Sequence, residues 1–349
     1  MDLVALPSQP ADVPWPTETW PTRPDGVQLT PLLDDLFTDT DRFGSTYAAV
    51  VVHRGRLVAE RYDGAITHWD GPDEPVGPET RLLSWSMAKS VLHAVVGILV
   101  DQGRLDLDAP APVPAWQEPG DPRGAITLEQ LLAMRDGLEF REDYVDGEAS
   151  EVIEMLFGSG ADDVASFAAE RPLAHPPGKV FNYSSGTSNI ISRIVGDEVG
   201  GGAAGFEAFL RSALLDPIGM SSAQPRFDAA GTFIASSYLY ATAQDFARFG
   251  HLYLRDGVWE GRRVLPEGWV DHGRRPRSVD PVDGRRYGAQ WWVVDDDLGG
   301  FWANGYEGQS ILVVPALDLV VVRLGKSDKA CYPALYEWRR SMADAFRDA

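Results

Sequence analysis

The sequence holds one cysteine, Cys331, so it can close no disulfide within the chain and cannot assemble a cysteine-rich metal site. Such usage suits a reducing compartment. Long apolar runs are also missing: no stretch approaches the ~20 consecutive apolar residues that a bilayer-crossing helix needs. The opening residues, MDLVALPSQPADVPWPTETWP, have no basic stretch leading into an apolar core and a small-residue cleavage site, so no secretory leader is read there. The expectation is a cytoplasmic protein without a membrane partner. Basic residues are in deficit, with 31 Lys and Arg against 52 Asp and Glu and a formal net charge of -21. That field repels nucleic acid and favours neutral or cationic small molecules. Two catalytic signatures are absent as well, the Gly-x-Ser-x-Gly nucleophile elbow and the His-Glu-x-x-His zinc helix. The histidines, His53, His68, His93, His175, His251 and His272, are scattered without ligand spacing, so neither a metal nor another cofactor is expected. Gly325-Lys326-Ser327 ends like a phosphate loop, but Val320 stands where that motif needs its first glycine. We read it as a turn at a strand end.

What is present falls into an ordered pattern. Pro7, Pro10, Pro14, Pro16, Pro21 and Pro24 block helix and central-strand pairing, which makes residues 1–28 an extended N-terminal extension, tacked down by Trp15 and Trp20. A short helical stretch around Pro31 to Phe37 precedes a hairpin, with runs at Tyr47–His53 and Arg56–Tyr62 about an Arg54-Gly55 turn. From Ser86 the period changes: Met87, Val91, Leu92, Val95, Val96, Leu99 and Val100 recur at helical spacing until Gly103. A helix apolar over most of its circumference belongs inside a protein. Thr127 caps another helix, and Phe206 to Leu215 form a further one. Tyr287–Val294, Ser310–Val314 and Leu319–Leu324 read as consecutive antiparallel strands, and Ala334 to Phe346 as a closing helix. The fold class is therefore α+β: an antiparallel sheet built from both chain ends, flanked by helices, with a helical region inserted. Residues 29–349 form one unit, its α/β part at about 29–85 and 285–349 and its mainly helical part at about 86–284.

Within that frame, Ser84-Trp-Ser86-Met-Ala-Lys89 places Lys89 and Ser86 on one face of a helix, at positions i and i+3. A serine hydroxyl is a weak nucleophile until a base takes its proton, and a lysine whose pKa is lowered by desolvation can do so. The apolar helix supplies the desolvation, and the N–H groups of its first turn can hold an oxyanion. Downstream, Pro176-Pro-Gly-Lys-Val-Phe-Asn-Tyr183-Ser-Ser185-Gly186 is a turn-rich stretch that can present the Tyr183 and Ser185 hydroxyls to a site. Phe301-Trp-Ala-Asn304-Gly305-Tyr-Glu307-Gly308 precedes a strand, and its glycines let backbone pass close to a ligand.

In this order the motifs resemble the serine β-lactamase and penicillin-binding-protein superfamily, in particular its class C β-lactamase-like, esterase and 6-aminohexanoate-dimer hydrolase branch. Gly103-Arg-Leu-Asp-Leu-Asp-Ala-Pro110, Ile126–Leu138, Tyr240–Gly250 and Gly305–Pro315 add to the likeness, which spans roughly residues 45 to 345. The resemblance implies a β-lactamase/transpeptidase-like fold and a serine hydrolase that works through an acyl-enzyme. It implies Ser86 as nucleophile, Lys89 as base and Tyr183 as proton shuttle, with the backbone N–H groups of Ser86 and Tyr306 as oxyanion hole. Tyr144, in a segment resembling one that carries a substrate-contacting tyrosine, Ser185, Asn304, Gly305 and Glu307 become substrate-binding candidates. Two departures matter. Ala303-Asn304-Gly305 stands where penicillin-active members have a basic Lys-Thr-Gly, and Ser185 replaces the asparagine usual in β-lactamases. Both direct the expectation to a small-molecule ester or linear amide, with β-lactamase or D-amino-acid peptidase activity as the alternative and an acylatable sensor or a pseudo-enzyme as the non-enzymatic one.

Overall fold

The valine-rich runs at the two ends of the chain pair with each other. In the computed structural model, which describes residues 3–23, 28–67, 72–144 and 150–347, strand β1 (Ser45–His53) lies between β2 (Arg56–Tyr62) and β8 (Leu319–Lys326). Pro24 and His68, named above, fall outside the described residues. The sheet continues outward through β7 (Ser310–Val314), β6 (Phe301–Asn304), β5 (Trp292–Val293), β4 (Arg286–Tyr287) and β3 (Ser278–Val279). Among the described residues these eight strands pair antiparallel throughout.

Alternate side chains of a strand point to opposite faces, and here both faces are apolar. Ala48, Val50 and Val52 of β1, with Ile311, Val313, Val320 and Val322, enter one core, while Ala49, Val51, Leu312, Val314, Leu319 and Val321 enter another. Helices therefore cover both sides. Helix α1 (Thr30–Thr38) and the closing helix α6 (Tyr332–Asp344) bury Leu33, Leu36, Trp338 and Met342 on the second face. On the first face, helix α5 (Ala243–Leu254) packs Phe246, Ala247 and Phe249 against β1, β7 and β8.

Behind α5 sits helix α2 (Ala88–Asp101), whose residues from Ala88 to Leu99 are all buried. The sequence places its start at Ser86; the chain instead makes a 3-10 turn over Trp85–Met87 before the α-helix begins. It stops before Gly103, whose left-handed backbone (φ 68°) no β-branched residue would tolerate. Helix α3 (Leu128–Leu132) is short and carries a capping box between Thr127 and Gln130. Helix α4 (Ser185–Val199) is buried along most of its length and runs beside α2.

One expected strand is divided. Tyr287–Val294 forms β4 and β5, joined by a turn in which Gln290 takes a left-handed backbone (φ 56°) and its N–H donates to the Leu132 carbonyl at 3.2 Å. The turn delivers Trp291 into the core, stacked on Phe249 at 6.0 Å. Burial of that indole outweighs the β propensity of its neighbours.

The N-terminal segment lies along α5. The Arg248 guanidinium donates to the Pro16 and Glu18 carbonyls at 2.7 and 3.3 Å, Trp20 is buried against the same helix, and Gln9 accepts from Arg255 at 2.9 Å. Among the described residues no helix is long and apolar enough to cross a membrane.

Candidate active site

The turn that carries Ser86 is clamped from behind. Residues Leu82–Leu83 pair with Leu239–Ala241, the Ser84 N–H donates to the Leu239 carbonyl at 2.9 Å, and the Leu239 N–H donates to Ser84 Oγ at 3.2 Å. Trp85 then adopts a left-handed backbone (φ 45°), a costly conformation for a bulky residue that persists only where its surroundings over-determine it. They do so here: the Trp85 indole N–H donates to Glu307 Oε2 at 3.1 Å, and the ring meets Tyr306 edge-on at 5.4 Å.

Glu307, itself left-handed (φ 60°), is braced in turn. Its N–H donates to the Tyr332 hydroxyl at 3.0 Å, and its carbonyl accepts from Arg323 at 3.0 Å and the Ser327 N–H at 3.1 Å. Between these two turns Gly305 comes so close to the Ser84 carbonyl that a Cβ would overlap it, with the Gln309 Cβ 2.9 Å away. Gly305→Val should therefore part the end of β6 from the Ser86 turn. We expect a loss of about 1–3 kcal/mol of stability, typical of overpacking, read as a lower thermal melting temperature.

Lys89 lies one turn beyond Ser86, 1% exposed. Its Nζ is 2.8 Å from Ser86 Oγ, 3.0 Å from Ser185 Oγ and 2.9 Å from the Ser236 carbonyl. Burial pushes the amine from the ordinary lysine value down to about 8, while the negative charge of Glu142 acts in the opposite direction. Desolvation wins because it penalises only the ammonium form.

Tyr183 approaches from the opposite side, with its ring 5.0 Å below Lys89 Nζ and wedged between Tyr287 at 5.9 Å and Trp292 at 5.2 Å. The divided strand β4–β5 is thus what holds this tyrosine. Burial, then Glu142, pushes its phenol upward, and interaction with the Ser86 hydroxyl works against that rise. Ser185 opens helix α4; its Oγ donates to Glu142 Oε1 at 2.5 Å and its N–H to Glu142 Oε2 at 2.8 Å. Burial raises the Glu142 carboxyl, and Lys89 and Ser185 oppose the rise. Tyr144 stacks on Tyr306 at 4.6 Å and meets Trp85, the residue before Ser86, edge-on at 6.3 Å.

Ser86, Lys89, Tyr144, Tyr183 and Ser185, drawn from residues 86–185, are thus brought together, and Gly305, Tyr306 and Glu307 meet them at the Trp85 turn. Asn304 ends β6, paired with Ser310. The Glu307 carboxylate, a binding candidate in sequence, is engaged by the Trp85 indole. Sequence reasoning missed Glu142, Trp85 and the Ser236 carbonyl. Glu142 had a signal, a carboxylate two residues before the tyrosine that was picked out; a backbone carbonyl has none. His93, on α2, stacks on Trp269 at 4.7 Å and on His272 at 5.4 Å, and burial holds its pKa well below the ordinary histidine value. Among the described residues no group of three or more His, Cys, Asp or Glu side chains could hold a metal ion.

The family model described as Beta-lactamase matches residues 34–340. The 6-aminohexanoate-dimer hydrolase of Paenarthrobacter ureafaciens is 28% identical over 295 residues, covering 80% of this chain and 72% of that protein. Among solved structures, a candidate 6-aminohexanoate-dimer hydrolase from Bacillus anthracis superposes with a TM-score of 0.76 at 22% identity, over 98% of this chain and 90% of that one. The octameric penicillin-binding protein homologue from Pyrococcus abyssi gives 0.67 at 18% identity, over 91% and 78%. At these identities the two structures speak for the β-lactamase/transpeptidase-like fold.

Proposed function

Since the chain belongs to the beta-lactamase family of hydrolases and is related to 6-aminohexanoate-dimer hydrolase, we propose that it cleaves an ester or a linear amide of a small molecule through an acyl-enzyme on Ser86. The observation that carries this reading is the 2.8 Å contact between Lys89 Nζ and Ser86 Oγ, made by an amine whose burial depresses its pKa to about 8.

Neutral Lys89 takes the Ser86 proton as Oγ bonds to the substrate carbonyl carbon, and the C=O electron pair moves onto oxygen. The resulting oxyanion lies against the backbone N–H groups of Ser86 and Tyr306. As the tetrahedral centre collapses, the bond to the leaving oxygen or nitrogen breaks and Tyr183 passes it a proton. Lys89 returns the proton it took to Tyr183 and is neutral again. Water then adds to the acyl carbonyl and gives a proton to Lys89, and the bond to Ser86 Oγ breaks as Lys89 hands that proton back to it, releasing the acid.

Three features favour esters and linear amides over β-lactams. Ala303-Asn304-Gly305 offers no cation at the end of β6 for a fused-ring carboxylate. Ser185, in the place of an asparagine, spends its side-chain proton on Glu142. The wall formed by Trp85, Tyr144 and Tyr306 is aromatic and suits a flexible apolar chain.

The test is a panel of p-nitrophenyl acetate and butyrate, linear 6-aminohexanoate oligomers and nitrocefin, read by steady turnover and by the mass of the acylated protein. Sustained turnover of an ester or an oligomer is expected. A single stoichiometric burst would move the reading to an acylatable sensor, and nitrocefin as the best substrate would move it to a β-lactamase.

A further inference from the structure

Lys89 has more hydrogen-bond partners than a neutral amine has protons. An ammonium donates three hydrogen bonds, whereas the neutral amine that the acyl-enzyme reading requires has two N–H bonds and one lone pair. The three oxygens around Nζ are those of Ser86, Ser185 and the Ser236 carbonyl. A carbonyl only accepts, so one N–H is assigned to Ser236. The lone pair then goes to whichever serine hydroxyl offers its proton.

That competition is decided one residue further out. Ser185 has a single hydroxyl proton, and it points at Glu142 Oε1 at 2.5 Å, while the other carboxylate oxygen holds the Ser185 N–H at 2.8 Å. A carboxylate bound by both donors of one residue leaves its hydroxyl little freedom to rotate. Ser185 Oγ can then only accept from Lys89, which takes the second N–H and leaves the lone pair to the Ser86 proton.

We propose that Glu142 is a positioning residue for acyl transfer: by holding the Ser185 proton it fixes the direction of every hydrogen bond around Lys89 and aims the amine lone pair at Ser86. This rests on the acyl-enzyme reading given above. The groups packed around the pair are phenols. Tyr144 precedes the undescribed 145–149, Tyr183 precedes α4 and Tyr287 comes from β4; burial pushes all three upward, with Glu142 adding to each rise. Tyr238 is raised by burial too, and Arg285 acts on Tyr183. Among the described residues, Glu142 is the charge that acts on Lys89.

Glu142→Gln separates this role from simple packing. Its amide oxygen can still accept one Ser185 donor, but its NH2 group faces the other, so the Ser185 hydroxyl is turned toward Lys89 and competes with Ser86 for the lone pair. The experiment measures the second-order rate at which a fluorophosphonate labels Ser86 across pH, in the wild type and in Glu142→Gln, with folding followed by thermal melting. A fall of about 10- to 100-fold is expected, part of what a well-placed base contributes. The acid limb is expected to move to lower pH, because the charge that favours the ammonium is gone. A rate within about twofold of the wild type with an unmoved limb overturns the proposal. If Glu142→Gln does not fold, Ser185→Ala replaces it: without that hydroxyl the second Lys89 N–H loses its acceptor and can turn to Ser86 Oγ, so the lone pair is no longer aimed there. The same slowing is then expected, and a wild-type labelling rate overturns the proposal. Failure of the wild type itself to be labelled at Ser86 would instead sink the acyl-enzyme reading, and this inference with it.

Discussion

Ser86→Ala is expected to abolish steady turnover of whichever ester or amide the panel identifies, by about a thousandfold or more, because the hydroxyl that forms the acyl-enzyme is gone. The substitution is mild for the fold. Ser86 lies in the 3-10 turn ahead of α2, and its hydroxyl is one of three oxygens around Lys89. Its loss leaves the amine bonded to Ser185 and Ser236, so the melting temperature should stay close to that of the wild type. Steady-state kinetics and a thermal melt on one preparation separate the two effects. Full esterase activity in Ser86→Ala would remove the mechanism altogether.

Lys89→Met carries the second large effect. Methionine keeps a similar unbranched volume in the buried helix and removes the base, so we expect a loss of about 100- to 10,000-fold in kcat/KM. The wild-type pH profile belongs to the same prediction. The active form is the neutral amine, with its pKa near 8, so kcat/KM should rise with pH through that value and fall by about tenfold per unit below it. Stability follows with a definite sign. Lys89 is depressed from 10.5 in the free side chain to about 8 in the fold, so between these values the unfolded chain binds more protons than the folded one. Folding stability therefore rises with pH across that window from this residue's contribution. Lys89→Met should flatten the slope, and thermal melts of both proteins over the window check it. An unchanged slope would mean that the amine is not desolvated as described.

Much of this was legible in the amino-acid sequence because it rests on local periodicity and order. The valine runs of β1 and β8 and the apolar circumference of α2 are composition written at period 2 and period 3.6, and the spacing of Ser86 and Lys89 on one helical face follows from the same geometry. Tyr144 and Ser185 could be picked out by resemblance. What escaped depends on contacts between distant segments. The division of Tyr287–Val294 into two short strands is forced by the burial of Trp291 against α5, which no local propensity encodes. The left-handed Trp85 is held by Glu307, more than two hundred residues away. Glu142 was hidden in a charged stretch, Arg141-Glu-Asp, that reads as solvated surface until Ser185 is placed over it.

The pairing of β1 with β8 has a consequence for synthesis. Ser45–His53 finds one of its two neighbours, Arg56–Tyr62, almost at once, but its other partner is Leu319–Lys326, with Ser45 set opposite Lys326. A chain made from its N-terminus must therefore carry an incomplete, two-sided valine strand until Leu319–Lys326 has been synthesised. Contacts this distant in sequence close slowly and leave apolar edges open to other chains meanwhile. Expression temperature and chaperone supply should thus govern how much folded protein is recovered, and C-terminal truncations that remove β8 should yield insoluble product even though every residue around Ser86 and Lys89 is retained.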